Sequence, residues 1–465
     1  MRKVKLLSKF ENLFGSAFAK LTFYAFLLTL LTVFPNCNPV IGIVAFTFNW
    51  LVLFALYRFW SFKDLFEDRV YITLNAVFLL LTFSALLGEK IDWFHLKEVR
   101  ESYYLFFLGS LVGILSATFL RKRPKKGVLL LATYSVLLAS KNIFVTVGFA
   151  LANLVSADIY GRYRKTLYEI FAIAVGNAIF TLLLVGNAFV KNPSAVWSYL
   201  LFYPFSVVVD IFLLFGLQKL LDLIPFMYSD EKLKNLASLS NPLLEEMLLK
   251  APGTYHHSVI VSLLSESVAK KIGADPLLTK VGAMFHDIGK LINPQYFIEN
   301  VNGENPHKKL KPETSAAIIK SHVEEGLKLA KKYNLPKEII RFIPEHQGTK
   351  LIGYFYAKAL QENPNISEEK FRYKGPVPQS KETAIVMIAD TVEAMVRALK
   401  NPTPEDIRRV VKTAIGKLIE ENQLKNSQLT EKDLQLIEKL LSELLISYYH
   451  ERIKYPTREK SNGRA

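Results

Sequence analysis

The sequence predicts an all-α protein in two parts, a multi-span helical membrane region over residues 1–228 and an all-helical soluble domain over residues 229–465. Three observations predict it. Apolar runs of span length crowd residues 17–224, charged residues dominate from about Ser229 onward, and the second half repeats apolar residues at spacings of three and four with almost no strand pattern. A content of 51% hydrophobic and 22% charged residues is hard to reconcile with a uniform membrane protein, so the two halves must differ.

A spanning helix needs about 20 mostly apolar residues, because hydrocarbon offers no partner to a bare backbone group. Stretches near residues 17–35, 40–60, 70–88, 103–120, 167–189 and 197–224 meet that requirement. The run Gly127–Ala157 is too long for one span and short for two. Basic clusters at Arg2-Lys3-Lys5, Arg121–Lys126 and Arg162–Lys165 belong on the cytoplasmic side, so an even number of crossings separates the last two. Residues 127–157 are therefore read as a short hairpin turning at Lys141, for about eight membrane segments with both termini inside. The first run reads as an uncleaved anchor, since no small-residue cleavage site precedes Pro39. Asp210 falls inside the last span, where an ionisable group is costly; it is either functional or the partner of a neighbouring polar side chain.

The net charge of +16 is explained by these flanking clusters, which argues against a nucleic-acid polymer as partner. A single cysteine, Cys37, excludes an intrachain disulfide framework and a cysteine-based zinc site.

In the second half, helices are expected over Leu236–Leu249, Val259–Ile272, Ala316–Tyr333, Ala384–Leu399 and Leu434–Tyr449. Loops are expected at Ala251-Pro252-Gly253, Asn293-Pro294, Asn302–Pro306 and Gly375–Pro378. Six of the eight histidines lie between residues 256 and 346, a clustering that signals a site. His286-Asp287 is placed on a helix ending at Gly289, where adjacent side chains about 100° apart could reach two neighbouring metal positions. His257 lies upstream, His322 and His346 follow on later helices, and Asp390 interrupts an apolar helix face, where it needs a cation or a partner. Taken together these residues point to a metal site.

The segments Ala251–Ser258, His286-Asp287-Ile288-Gly289-Lys290, Phe297–Asn300, Phe371-Arg372-Tyr373, Gly375-Pro376 and Ala389–Ala394 resemble the HD-domain phosphohydrolases. Within them the resemblance is to the seven-transmembrane HD proteins of the PgpH type, which are cyclic di-AMP phosphodiesterases. It runs in order through about residues 229–455, after a multi-span region that suits the same architecture.

The resemblance implies an HD-domain fold and two divalent metal ions, iron or manganese. His257, His286, Asp287 and Asp390 would hold one ion; Asp287, as bridge, with His322 and His346 would hold the other. Such a pair would neutralise phosphodiester oxygens and supply an activated hydroxide near neutral pH. The expected reaction is hydrolysis of cyclic di-AMP to linear pApA by a multi-pass protein of a bacterial cytoplasmic (inner) membrane, with the HD domain in the cytoplasm. Asp287 and Lys290 are the catalytic candidates, and Lys290 otherwise reads as a solvated helix-end lysine. Arg372, Tyr373 and Arg397 are candidate substrate contacts through guanidinium forks and base stacking. His256 reads as a packing or supporting residue and His307 as a loop residue near the pocket entrance. The lipid bilayer is an expected partner; a homodimer and a separate sensor protein are both compatible with the chain.

Three features depart from the family pattern. Gln347 stands where similar proteins carry a second histidine, and an amide is a poor ligand for a transition metal. Lys308 stands where an acidic residue is usual. Only Pro35–Pro39 occupies the position of a large extracellular domain, so sensory input is expected from elsewhere. Hydrolysis of cyclic di-GMP is disfavoured because no Gly-Tyr-Pro follows His346, while a guanosine tetraphosphate substrate stays open. A membrane receptor that binds nucleotide without turnover would account for Gln347. A transporter would leave the histidines unexplained.

Overall fold

A computed structural model of the chain describes residues 110–120, 123–140, 142–163, 165–222, 228–301 and 303–449. It divides into two compact units, Met1–Asp230 and Glu231–Ala465. Among the described residues the regular structure is helical, and the one isolated bridge pairs Leu351 with Arg372. The spans expected at 17–35, 40–60 and 70–88, the start of that at 103–120, and Cys37 lie outside the described residues. So do Arg2, Lys3, Lys5, Arg121, Lys122, Lys141, Arg164 and Asn302.

The first unit contains α1 (Leu111–Phe119), α2 (Arg123–Ser140), α3 (Ile143–Tyr163), α4 (Thr166–Lys191) and α5 (Val196–Asp222). Three segments, Ile143–Tyr163, Thr166–Lys191 and Pro193–Asp222, are long and apolar enough to cross a membrane. Gly127–Ala157 is split between α2 and α3, and the Asn142 side-chain oxygen accepts the Phe144 N–H at 2.9 Å at the start of α3. α4 packs along both α3 and α5. Small residues allow this: a Cβ at Gly176 would sit 2.1 Å from Ser156 Oγ. Asp210 is fully buried, and Asn177 Nδ2 donates to its Oδ2 at 3.0 Å and to Ser206 Oγ at 3.2 Å. Ser110 Oγ donates to Asn177 Oδ1 at 3.0 Å, so three helix segments are tied by one amide. Asp210 thus has the neighbouring polar partner that its place in a span demands.

The second unit contains α6 (Asp230–Leu236, which starts at the boundary), α7 (Pro242–Lys250), α8 (Pro252–Ile272), α9 (Pro276–Phe285), α10 (Pro312–Lys332), α11 (Lys337–Ile340) and α12 (Phe342–Glu345). These are followed by α13 (Gly353–Glu362), α14 (Lys381–Arg397), α15 (Pro404–Glu420) and α16 (Glu431–Tyr449). α14 is the central element: Ala384 to Ala389, Val392 and Val396 are buried among residues of α8, α9, α15 and α16. Its start is set by a Ser380–Thr383 capping box, and that of α15 by Thr403–Asp406 with Pro404 in the first turn.

Several boundaries differ from the sequence expectation. The helix expected over Leu236–Leu249 is broken at residues 237–241, because Asn241 caps the Leu243 and Leu244 amides and Pro242 opens a new helix. Pro252-Gly253 is not loop but the first turn of α8, where a proline without an N–H costs nothing. His286-Asp287 lies just beyond α9, in the turn leading to a 3-10 segment at Ile288–Leu291. His346 follows the single turn of α12. The expectation also omitted α13 and α15.

Gly289 lets α10 approach that turn. A Cβ there would fall 1.8 Å from the His322 carbonyl oxygen and 2.5 Å from the Gly326 nitrogen, both backbone atoms that cannot rotate away. Gly289→Ala is therefore expected to destabilise the protein by about 1–3 kcal/mol and to lower its melting temperature in a thermal denaturation of the detergent-solubilised chain; an unchanged midpoint would contradict this packing.

Candidate metal centre

Five elements deliver six side chains to one buried point. α8 brings His257, the turn after α9 brings His286 and Asp287, α10 brings His322, the turn after α12 brings His346, and α14 brings Asp390. The five ligand candidates other than Asp390 are at most 2% exposed. Asp287 divides its oxygens between two sets of partners. Its Oδ2 faces His286 Nε2 at 3.2 Å and His257 Nε2 at 3.8 Å, while its Oδ1 faces His322 Nε2 at 3.5 Å and His346 Nε2 at 3.4 Å. Asp390 Oδ1 completes the first set, 3.1 Å from His257 Nε2 and 3.9 Å from His286 Nε2. Within each set, His257–His286–Asp287–Asp390 and Asp287–His322–His346, the ligand atoms lie within 4.8 Å of one another, and each set could hold a metal ion.

The hydrogen bonding turns the right ring atoms inward. Nδ1 of His286, His322 and His346 faces the carbonyl oxygens of Ala283, Ile319 and Phe342 at 2.5, 2.6 and 3.0 Å, and Nδ1 of His257 faces Glu393 Oε2 at 2.6 Å. An Nδ1 that donates its proton to an oxygen leaves Nε2 as a lone pair in the neutral ring. His286 Nε2, His322 Nε2 and Asp287 Oδ1 are buried without a hydrogen-bond partner among the described residues. Lone pairs facing carboxylate oxygens at such distances repel unless a cation lies between them. The donor set therefore fits divalent ions.

Charge balance shows the same need. Burial opposes the ionised form of Asp287, yet the Lys290 ammonium and the neighbouring imidazoles hold its carboxyl well below the usual range. Asp390 is held low against the same burial cost by His257 and Lys350. Burial pushes His322 down to about 4 and also lowers His346. His257 goes the other way: burial disfavours its cation, but Asp390 and Glu393 outweigh that and raise it to about 9.

Residues 254–395 match the HD domain family. The chain is 46% identical over 233 residues to the cyclic-di-AMP phosphodiesterase PgpH of Bacillus subtilis, covering 50% of this chain and 33% of that protein. It is 38% identical over 318 residues to PgpH of Listeria monocytogenes, covering 68% and 44%. The crystal structure of the L. monocytogenes PgpH HD domain in complex with cyclic di-AMP is 43% identical, covers 46% of this chain and all of that one, and superposes with a TM-score of 0.45.

This chain carries an HD domain. It spans less than half the length of either PgpH protein. In its HD domain, Lys290 is not a solvated lysine: it is 13% exposed, with Nζ 2.8 Å from Asp287 Oδ2 and 2.6 Å from Glu299 Oε1. Arg372 braces the backbone, donating to Glu368 Oε1 at 2.6 Å and to the Thr349 carbonyl at 3.0 Å. Arg397 stands behind the centre, 3.3 Å from the Glu393 carboxylate that holds His257. The Tyr373 ring is 6.0 Å from the His322 ring and lines a cavity of about 200 Å³ with Lys320, Ser321, Glu324, Gly348 and Lys374. His256 is exposed rather than packed, because one residue along α8 from buried His257 turns it outward. His307 is 9% exposed, with Nε2 2.8 Å from the Tyr296 carbonyl and its ring against Phe355, so it packs the domain instead of fringing a pocket. Lys308 is exposed.

Sequence reasoning gave no role to Glu393, Glu299 or Lys350. Glu393 had a signal: it follows Asp390 by three residues, hence on the same helix face. Glu299, linking Lys290 to Thr254 Oγ1 at 3.2 Å, had none beyond the family motif.

Gln347 places its Nε2 2.8 Å from His346 Nε2, so its amide occupies the lone pair that the second set needs. Gln347→His is expected to raise the metal content of the purified protein toward two ions per chain, measured by elemental analysis; unchanged stoichiometry would count against a competing role for this amide. Because His257 titrates at about 9, it carries a proton at pH 7.5 in the metal-free protein. A divalent ion must displace that proton, so affinity should rise with pH up to about 9. Calorimetric titration with Mn²⁺ in two buffers of different ionisation enthalpy should show about one proton released per chain, on filling the set that contains His257, and heats independent of buffer would refute it.

Proposed function

We propose that the chain is a membrane-bound, metal-dependent phosphodiesterase that hydrolyses a cyclic dinucleotide, cyclic di-AMP to linear pApA, on the cytoplasmic side of a bacterial cytoplasmic membrane. The observation that carries the reaction class is the Asp287 carboxylate, which directs one oxygen to each of two buried imidazole sets. Similarity to the PgpH phosphodiesterases carries the substrate. Three apolar helices of spanning length support the membrane location.

In this reading His257, His286, Asp287 and Asp390 hold one ion and Asp287, His322 and His346 the other, with iron or manganese suited to the mixed nitrogen and oxygen donors. When bound, such ions supply Lewis acidity to the phosphoryl oxygens and lower the pKa of water near neutrality. The protein's own groups supply order. Glu393 accepts the Nδ1 proton of His257 and turns Nε2 inward, and Arg397 balances the Glu393 charge. Lys290 orients Asp287 and is itself held by Glu299. Tyr373 offers a ring face beside the cavity for a base. Hydrolysis adds the oxygen of water to phosphorus and breaks the bond to O3′; the proton goes to that oxygen, leaving a 3′-hydroxyl and a 5′-phosphate.

A receptor that binds the nucleotide without turnover is the second reading, and the Gln347 amide against His346 is the observation that favours it. Elemental analysis with an activity assay separates the two: two ions per chain with turnover support the enzyme, and one or none with tight nucleotide binding supports the receptor. His286→Ala and Asp287→Ala should each cut hydrolysis to below about a thousandth of the parent rate while the protein stays in the membrane fraction. Full activity in both variants would end the metal assignment.

A further inference from the structure

Two lysines border the metal centre, and the structure treats them differently. Lys290 is saturated. Its ammonium lies between two carboxylates at 2.8 and 2.6 Å, and the Phe297 ring covers it with its centroid 5.2 Å away. Lys350 meets one hydroxyl, Thr391 Oγ1 at 3.2 Å, and lies 3.8 Å from Asp390 Oδ2, beyond hydrogen-bond range. An ammonium has three donors, so Lys350 keeps donors that no carboxylate among the described residues accepts, while its charge also helps to hold Asp390 ionised.

Its position is that of a group meant to meet an incoming ligand. The histidines and Asp287 are at most 2% exposed, whereas Asp390, Lys290 and Lys350 are 12%, 13% and 17% exposed, so solvent reaches the centre past Asp390 and the two lysines, of which Lys350 alone has donors to spare. The backbone beneath Lys350 is pinned. Its N–H donates to the Gln347 carbonyl at 3.1 Å, and its own carbonyl accepts the Tyr373 N–H at 3.1 Å. The turn itself needs Gly348 at φ +55°, and Gln423 locks it by accepting the Thr349 N–H at 2.9 Å and donating to Thr349 Oγ1 at 2.9 Å. A long flexible side chain held so firmly at its base, beside Asp390 of the first ligand set, carries a preformed positive charge at the edge of the site.

We propose that Lys350 grips a non-bridging oxygen of the substrate phosphate at the entrance to the metal centre, making it a substrate-binding residue of the proposed phosphodiesterase. Lys290, by contrast, serves Asp287. The assignment rests on the phosphodiesterase reading but is tested apart from it, with inorganic phosphate as the probe.

The full chain, solubilised in detergent and loaded with Mn²⁺, is titrated with inorganic phosphate and compared with Lys350→Met and Lys350→Arg; cyclic di-AMP turnover and metal content are measured on the same samples. Lys350→Met is expected to weaken phosphate binding about tenfold, the loss of one charge-assisted hydrogen bond. Lys350→Arg should stay within about threefold of the parent, since a guanidinium keeps both charge and donors. Metal content should not fall in Lys350→Met, because removing a cation beside Asp390 relieves competition with the ions, nor in Lys350→Arg, which keeps the parent's charge. Equal phosphate affinity in parent and Lys350→Met overturns the inference, as does a loss of metal in Lys350→Met, which would make the lysine a support of the ligand set. Absence of cyclic di-AMP turnover in the parent, with the phosphate effect intact, overturns the substrate reading and leaves Lys350 as an anion-binding residue.

Discussion

A carboxylate with 1% exposure, ringed by four imidazoles, sets the terms for the rest of the second unit. Removing Asp287 from water costs several kcal/mol that nearby neutral rings cannot return, so cations must. Lys290 provides one in the protein itself, and the two facing sets of lone pairs have room for more. The backbone complies: α9 stops at Phe285, the chain tightens into a 3-10 turn, and Gly289 admits the His322 carbonyl to a distance that forbids any side chain.

The imidazoles are aimed by ordinary helical geometry. His286, His322 and His346 each tie Nδ1 to a carbonyl three or four residues earlier, so local structure alone turns Nε2 toward Asp287. His257 is the exception. Its Nδ1 partner is Glu393, 136 residues away, and the pair couples the ligand to α14, the most buried helix of the unit. That coupling also raises the proton affinity of His257 above that of His322, so the two sets differ in what an ion must displace. Gln347 adds a second difference, since its amide competes for the one lone pair of His346.

The membrane unit follows another rule. Where no water can serve a polar group, polar groups serve one another, and Asn177 joins Ser110, Ser206 and Asp210 across three segments. Close approach through Gly176 makes that possible.

Apolar spacing and local punctuation made the helical class readable from the amino-acid order, and capping chemistry such as Asn241-Pro242 or Thr403-Pro404 could have placed starts that periodicity alone missed. The omitted α15 carries Ile407, Val411, Ala414, Ile415 and Leu418 at helical spacing, so its signal was present. The ligand candidates were legible through their motifs. Their meeting was not, nor were the partners of Lys290, the role of Glu393 or the relative freedom of Lys350. Sequence by itself determined the residue chemistry and the local helices, because hydrophobic period and caps act within a few residues. Only the tertiary structure decided which imidazole faces which carboxylate oxygen and which lysine keeps donors to spare, because those contacts join positions tens to more than a hundred residues apart.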